Sequence, residues 1–123
     1  MAQIQTFKDL VAWQKAHELV LCVYQTTNLY PKHELFTLTS QTRRAAISVP
    51  ANIVEGFRRK GLRDSINFYN ISDASLEELK YHLLLAKDLK YIDEIVYGVV
   101  QKKCEDVGRL LTRWIQSQRK YLA

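Results

Sequence analysis

Glycine and proline are scarce in this chain, which has four glycines and two prolines among its 123 residues. A sheet protein needs a turn signal about every 8–12 residues, so this small supply of turn residues excludes a fold of many short strands. The same scarcity favours a few long helices joined by short connections. At this length we expect one domain spanning residues 1–123.

Long apolar runs are also missing. No window approaches the ~18 apolar residues of a membrane span, and the stretch from Met1 to Asp9 has no apolar core of signal-peptide length. With 47% hydrophobic and 25% charged residues, the composition is typical of a soluble globular protein. We therefore expect a cytoplasmic protein with no membrane partner.

Metal and catalytic motifs are absent as well. The two cysteines, Cys22 and Cys104, have no CxxC spacing and no matching histidine pair, which argues against a zinc site. Glu78 and His82 resemble part of a di-iron site, but a second copy of that motif is missing. The chain also has no GxSxG elbow, no Cys–His pair with a third member and no glycine-rich phosphate loop. We predict no metal, no cofactor and no enzymatic activity.

Helical periodicity is what the sequence does contain. Four amphipathic segments follow one another: about Phe7 to Tyr30, Glu34 to Phe57, Asp64 or Ser65 to just before Ile92, and Asp93 to Tyr121. Because the connections are short, consecutive helices run antiparallel. The predicted fold is all-α, an antiparallel up-down-up-down four-helix bundle.

The second segment is apolar on two faces. At ~100° per residue, one arc contains Leu38, Ala45, Ala46, Val49, Ile53 and Gly56. The opposite side holds Phe36, Ile47 and Val54. A helix with two apolar faces must be covered twice, so we predict that Phe36, Ile47 and Val54 form an oligomer interface. The periodicity survives across Pro50, which predicts a kink at that residue rather than two separate helices.

A polar line separates these two apolar arcs. It consists of Gln41, Arg44, Ser48, Asn52 and Glu55. On the third helix the predicted inner stripe is Phe68, Ile71, Ala74, Ser75, Leu79, His82, Ala86 and Leu89, which places Glu78 on the apolar side. Because a buried charge needs a partner, we expect Arg44 to pair with Glu78 or Glu55, within the chain or across a subunit boundary. We interpret the line as a structural network, with a functional pocket as the alternative.

Positive charge collects at one end of the predicted bundle, and the chain has a net charge of +5. An up-down topology brings the N-terminus, the second connection and the C-terminus together. The predicted nucleic-acid site comprises Arg58, Arg59, Lys60, Arg63, Arg119 and Lys120, with Arg43 as an added contact. Tyr69 and Tyr121 are expected to offer stacking faces. The alternative is that the basic face is incidental and that the protein recruits another protein.

The chain resembles a known family, and the likeness covers Phe7 to about Tyr91. The residues that carry it are Phe7, Leu10, Trp13, Gln14 and Ala16, then Leu38, Gln41, Arg43, Arg44, Ala45, Ser48, Asn52, Ile53, Glu55 and Gly56, then Ser75, Leu76, Glu78 and Leu79. They resemble the bacterial four-helix-bundle proteins encoded in intervening sequences of 23S rRNA genes, often labelled S23 ribosomal proteins. Ala74 departs from the family's usual glycine, and Thr37 from its usual small residue.

This resemblance implies a ring-shaped homo-oligomer of five copies. It also implies a fold shared with the accessory protein of diversity-generating retroelements, which binds nucleic acid and a reverse transcriptase. The expected partners of this chain are therefore further copies of itself and RNA or DNA, with another protein as the alternative. The ribosomal label does not imply that the protein is part of the ribosome.

Overall fold

The computed structural model describes residues 3–122. Within this range the chain forms four α-helices and no strand: α1 (Val11–Thr27), α2 (Ser40–Arg58), α3 (Leu62–Asp88) and α4 (Glu94–Arg119). Helices that follow each other in the chain pack together, and α4 packs back against α1. The prediction of an all-α four-helix bundle is confirmed.

Contacts between the helices show that neighbours run antiparallel. The Ser48 and Ser75 hydroxyls lie 2.8 Å apart in the middle of α2 and α3, while Arg59 at the end of α2 lies opposite Asp64 at the start of α3. Because α3 and α4 are also joined by a short connection, the end of α2, the start of α3 and the end of α4 lie at the same end of the bundle.

The first predicted helix is interrupted. Residues Phe7–Asp9 form a separate 3₁₀ turn, and Leu10 is extended before α1 begins at Val11. The Asp9 carboxylate accepts hydrogen bonds from the backbone N–H groups of Gln5 (2.8 Å) and Thr6 (3.0 Å). These bonds hold the turn in place and lower the pKa of Asp9. The short segment is therefore a separate turn that packs against α1 and α2 rather than extending α1.

The second predicted helix begins with irregular turns. A 3₁₀ turn at Lys32–Glu34 and a π-helical turn at Leu35–Thr39 precede α2. From Ser40 onward one helix continues through the buried Pro50 to Arg58, so the prediction that Pro50 does not divide the helix is confirmed. The kink at Pro50 stays a prediction.

The inner stripe predicted for α2 is buried throughout: Leu38, Ala45, Ala46, Val49, Ile53 and Gly56. Ala45, Ala46, Val49 and Ile53 join a core made by all four helices, whose fully buried members include Leu19, Ile53, Leu76 and Leu111. A smaller cluster of Tyr30, Leu38, Ala86 and Ile92 closes the bundle at the end opposite the N-terminal turn.

The inner stripe predicted for α3 is wrong in part. Ile71, Ala74 and Leu89 are exposed, whereas the buried face consists of Ser65, Ile66, Tyr69, Ser72, Leu76, Leu79, Leu83 and Ala86. The predicted stripe is wrong here because Ser72, a polar residue, lies on the buried face. Its cost of burial is offset by α2, since the Ser72 hydroxyl donates a 2.7 Å hydrogen bond to the Val49 carbonyl. Glu78 consequently lies on the outside, with its side chain 56% exposed.

Candidate nucleic-acid interface

The end of the bundle that carries the α2–α3 connection and the end of α4 is rich in cations. Five exposed basic side chains lie there, and we call this surface the basic end: Arg58, Lys60, Arg63, Arg119 and Lys120. Among residues 3–122 none of the five lies within ion-pair distance of a carboxylate. Their charges are therefore available to an external anion.

Local structure explains why the cations collect at this point. Arg58 and Arg119 are the last residues of α2 and α4, where the negative ends of the helix dipoles favour positive charge. Arg59 then leaves the helix in an extended conformation (φ −70°, ψ 145°), and the chain reaches the start of α3 after Gly61. So short a connection keeps Lys60 and Arg63 near the end of α2 and the start of α3.

Arg59 is held differently from its neighbours. Its guanidinium lies over the Phe68 ring, 4.3 Å from the ring centroid, and pairs with Glu55 at 3.0 Å and with Asp64 at 4.0 Å. Sequence reasoning missed the role of Phe68, because its contact with Arg59 arises only when α2 and α3 pack together. The two carboxylates partly neutralise Arg59, so it contributes less to the basic end than predicted.

The two tyrosines predicted to stack on bases differ in exposure. Tyr69 is only 2% exposed, and its ring packs edge-on against Trp114 with centroids 6.0 Å apart. Burial raises the pKa of its hydroxyl, and the prediction that Tyr69 stacks on a ligand is wrong. Tyr121, by contrast, is 77% exposed and stays available.

Arg43 does not lie with the other predicted cations. It sits at the opposite end of the bundle, where its Nε donates to the Thr27 hydroxyl (2.8 Å) and Nη2 donates to Oδ1 of Asn28 (3.1 Å). Its guanidinium also covers the Tyr24 ring at 4.6 Å from the centroid. Arg43 thus fastens the end of α1 to α2, so it cannot join the basic end.

The polar line of α2 forms a network in its middle. The Ser48 and Ser75 hydroxyls are 2.8 Å apart, and the Asn52 amide nitrogen donates to the carbonyl (2.8 Å) and the hydroxyl (2.9 Å) of Ser48. These small polar groups tie α2 to α3. Ser48 and Asn52 belong to this network, whereas Gln41 is exposed, and the structural interpretation of the whole line stays a prediction.

The expected pairing of Arg44 inside the chain is wrong. Glu55 pairs with Arg59, and within residues 3–122 the one contact of ion-pair type that Glu78 makes is with Nε2 of His82 at 3.5 Å. Arg44 itself is exposed and forms no ion pair within residues 3–122. The prediction failed because Glu78 lies outside the core, where water solvates its charge and no buried partner is required. Pairing across a subunit boundary stays a prediction.

The side chains predicted as an oligomer interface are accessible. Phe36 is 88% exposed and Ile47 43% exposed, while Val54 is half-buried. Ile47 and Val54 form one wall of a shallow apolar groove whose other wall includes Trp13 and Val20 of α1. A second apolar face of α2 therefore exists on the outside of the bundle.

The described residues contain no cluster of side chains that could hold a metal ion. Within residues 3–122 no three His, Cys, Asp or Glu side chains converge on one point. Cys104 is fully buried, and burial raises the pKa of its thiol to about 12. Nor is any helix in this part of the chain long and apolar enough to cross a membrane.

Comparison with known proteins agrees with the resemblance seen in the sequence. A crystal structure of a protein of unknown function from the S23 ribosomal protein family of Bacteroides thetaiotaomicron superimposes with a TM-score of 0.79 at 24% identity. The match covers 85% of this chain and 98% of that one, and at this identity it establishes the shared fold. No curated protein matches the sequence.

The family model described as 23S rRNA-intervening sequence protein matches residues 8–113. That range extends from the N-terminal turn through most of α4 and includes the polar line of α2 and the basic α2–α3 connection. The chain belongs to the family of 23S rRNA-intervening sequence proteins.

Proposed function

We propose that this protein is a non-enzymatic homo-oligomeric scaffold that binds RNA or DNA through phosphate contacts at its basic end. The observation that supports the proposal is that Arg58, Lys60, Arg63, Arg119 and Lys120 lie at the same end of the bundle, all exposed and without a carboxylate partner in residues 3–122. Arginine forks and lysine ammonium groups are the side chains that bind phosphate best.

Self-association is the second part of the proposal. The accessible stripe of Phe36, Ile47 and Val54 supports it, and five copies is the number that the family resemblance implies. In a closed ring every copy presents its basic end on the same face. Multivalent contact then raises the affinity without any new interaction in a single copy.

The site recognises backbone rather than sequence. Tyr121 is the one aromatic side chain classed as exposed at the basic end within residues 3–122, so base stacking contributes little. Phosphate contacts hold a nucleic acid in place but do not read its bases. We expect weak discrimination between sequences.

The test is a salt titration of binding to a labelled RNA hairpin and a DNA duplex. Affinity should fall steeply as salt rises, because each phosphate contact releases a counterion. The triple variant Arg58→Gln/Lys60→Gln/Arg63→Gln should bind at least about tenfold more weakly, with a shallower salt slope. The matched control, Lys32→Gln/Lys102→Gln/Lys103→Gln, loses the same charge away from the basic end and should bind like the unmodified protein.

A specific observation favours the alternative, a module whose ring recruits another protein. Large apolar side chains are exposed near the end opposite the basic end, among them Phe36 at 88% and Ile95 at 79%. Exposed apolar groups of this kind are typical of protein contacts. Failure to bind either nucleic acid even at low salt would overturn the phosphate proposal and leave this alternative in place.

A further inference from the structure

Two stripes of side chains, one on α2 and one on α3, face outward from the bundle. Each follows the three-and-four spacing of a coiled-coil seam, so its members lie along one line of the helix. The α2 stripe is Arg44, Ile47, Ala51 and Val54, and the α3 stripe is Ile71, Ala74, Glu78 and Tyr81. All are exposed except Val54, which is half-buried. Neither stripe is covered by the chain's own helices.

The two stripes carry opposite charge. Arg44 on the α2 stripe has no ion-pair partner in residues 3–122, and Glu78 on the α3 stripe contacts only the neighbouring His82 imidazole, at 3.5 Å. Near the α2 stripe, the carboxylate of Glu55 is paired with Arg59 at 3.0 Å. Arg58 continues the α2 side, while residues 64–79 of α3 contain four acidic residues and no lysine or arginine.

Arg44 and Glu78 also lie at the same height in the bundle. Ser48 faces Ser75, and Arg59 faces Asp64, so the antiparallel register of α2 and α3 is fixed at two points. Arg44 is about one turn beyond Ser48 toward the start of α2. Glu78 is about one turn beyond Ser75 toward the end of α3. Copies related by rotation about an axis parallel to the helices keep their heights, so such a rotation places Arg44 of one copy level with Glu78 of another.

We infer that the α2 stripe of one copy packs against the α3 stripe of a second copy, with Arg44 of the first paired to Glu78 of the second. The occupant is a second copy because both halves of the complementary pair are present on this chain. The contact joins two different surfaces, so it repeats head to tail and closes a ring when the rotation allows. This inference rests on the proposed self-association and names the surfaces that would form it.

Charge reversal with native mass as the readout tests the pairing. Arg44→Glu places like charges at every junction, as does Glu78→Arg, and each should weaken assembly by more than about tenfold, giving mainly monomer. Both positions are exposed, so circular dichroism should show a folded bundle. Lys103→Glu and Glu18→Arg, which make the same charge changes elsewhere on the surface, should leave the mass unchanged.

Two rescue experiments separate pairing between copies from an effect within one chain. The double variant Arg44→Glu/Glu78→Arg restores opposite charges at each junction and should assemble again. Mixing the two single variants should restore assembly in part, because every junction between unlike variants regains opposite charges, although a ring of five keeps at least one junction between like variants. A contact inside one chain would gain nothing from mixing.

The outcomes distinguish this inference from the proposed function. If the single variants keep the mass of the unmodified oligomer, or if neither rescue restores it, the Arg44–Glu78 pairing is overturned while self-association stands. If the unmodified protein is monomeric at every concentration, both self-association and this interface are overturned. Nucleic-acid binding by the basic end is decided separately by the salt titration.

Discussion

The Tyr91 hydroxyl donates a 2.6 Å hydrogen bond to Oε2 of Glu34, which joins the α1–α2 connection to the α3–α4 connection. The other carboxylate oxygen accepts from the Thr37 hydroxyl and from the backbone N–H of Leu38 at 3.3 Å. Glu34 therefore caps the π-helical turn that leads into α2. Through Tyr91 it also holds this turn against the α3–α4 connection. Hydrogen bonds from Thr37 and Tyr91 lower the pKa of Glu34.

Removing the Tyr91 hydroxyl should loosen this end of the bundle. Tyr91→Phe deletes one hydrogen bond to an ionised carboxylate, a bond stronger than one between neutral groups. We expect a lower unfolding midpoint in urea and faster amide exchange near Leu38, with the fold retained. Tyr121→Phe is the matched control, because Tyr121 is 77% exposed and lies outside both proposed interface stripes, so it should show no comparable change. Equal midpoints for the two variants would show that the Tyr91–Glu34 contact does not stabilise the fold.

The same contact predicts a dependence of stability on acid pH. Because folding lowers the pKa of Glu34 from its ordinary value of 4.5, the stability it adds is fully present above that value. It is lost as pH falls through the lower, folded-state pKa. Urea unfolding measured between about pH 7 and pH 3 should therefore show a smaller acid loss in Tyr91→Phe than in the unmodified protein. Parallel curves would mean that Tyr91 does not shift the Glu34 titration.

Close packing of α2 on α3 near the basic end depends on Gly56. A Cβ at this position would lie 2.5 and 2.8 Å from two carbons of the Tyr69 ring and 2.9 Å from the Ser65 carbonyl oxygen. We expect Gly56→Ala to lower the free energy of unfolding by about 1–3 kcal/mol, the usual cost of overpacking.

Gly98→Ala provides the control for that experiment. The same methyl group at Gly98 meets no atom within 4 Å, and alanine is the better helix former, so a gain of about 0.5–1 kcal/mol is expected. Denaturant unfolding of both variants gives the comparison. Similar changes in the two would show that helix propensity, rather than contact with Tyr69, governs position 56.

The buried face of α2 can be predicted from the sequence, but the buried face of α3 cannot. The buried side of α2 follows from periodicity alone, because Ala45, Ala46, Val49 and Ile53 are apolar at helical spacing. The buried side of α3 does not, because Ser72 is accepted in the core only where the Val49 carbonyl meets it. That partner is 23 residues away, so the contact exists only once the two helices have packed.

The same limit applies to the candidate site. Net charge and topology are enough to place Arg58, Lys60 and Arg63 at one end, since they lie in or beside one short connection. They do not show that Arg43 is engaged with Thr27, because that depends on where α1 ends. Nor do they show that Tyr69 is buried, because a tyrosine at helical spacing suits a core and a surface equally well. The sequence therefore predicts which end of the bundle a side chain occupies, but not which distant residue it contacts.

The two cysteines should differ sharply in reactivity. Cys104 is fully buried and its thiol pKa is raised to about 12, so at pH 8 roughly one thiol in ten thousand is ionised. Cys22 is only partly buried. Because the thiolate is the nucleophile, iodoacetamide should modify Cys22 in the folded protein and leave Cys104 intact, whereas both react in denaturant. Mass spectrometry of the labelled peptides identifies the modified thiol, and Cys22→Ala should abolish rapid native labelling. Equal labelling of both cysteines in the folded state would mean that the α4 core face opens readily, contrary to the packing described above.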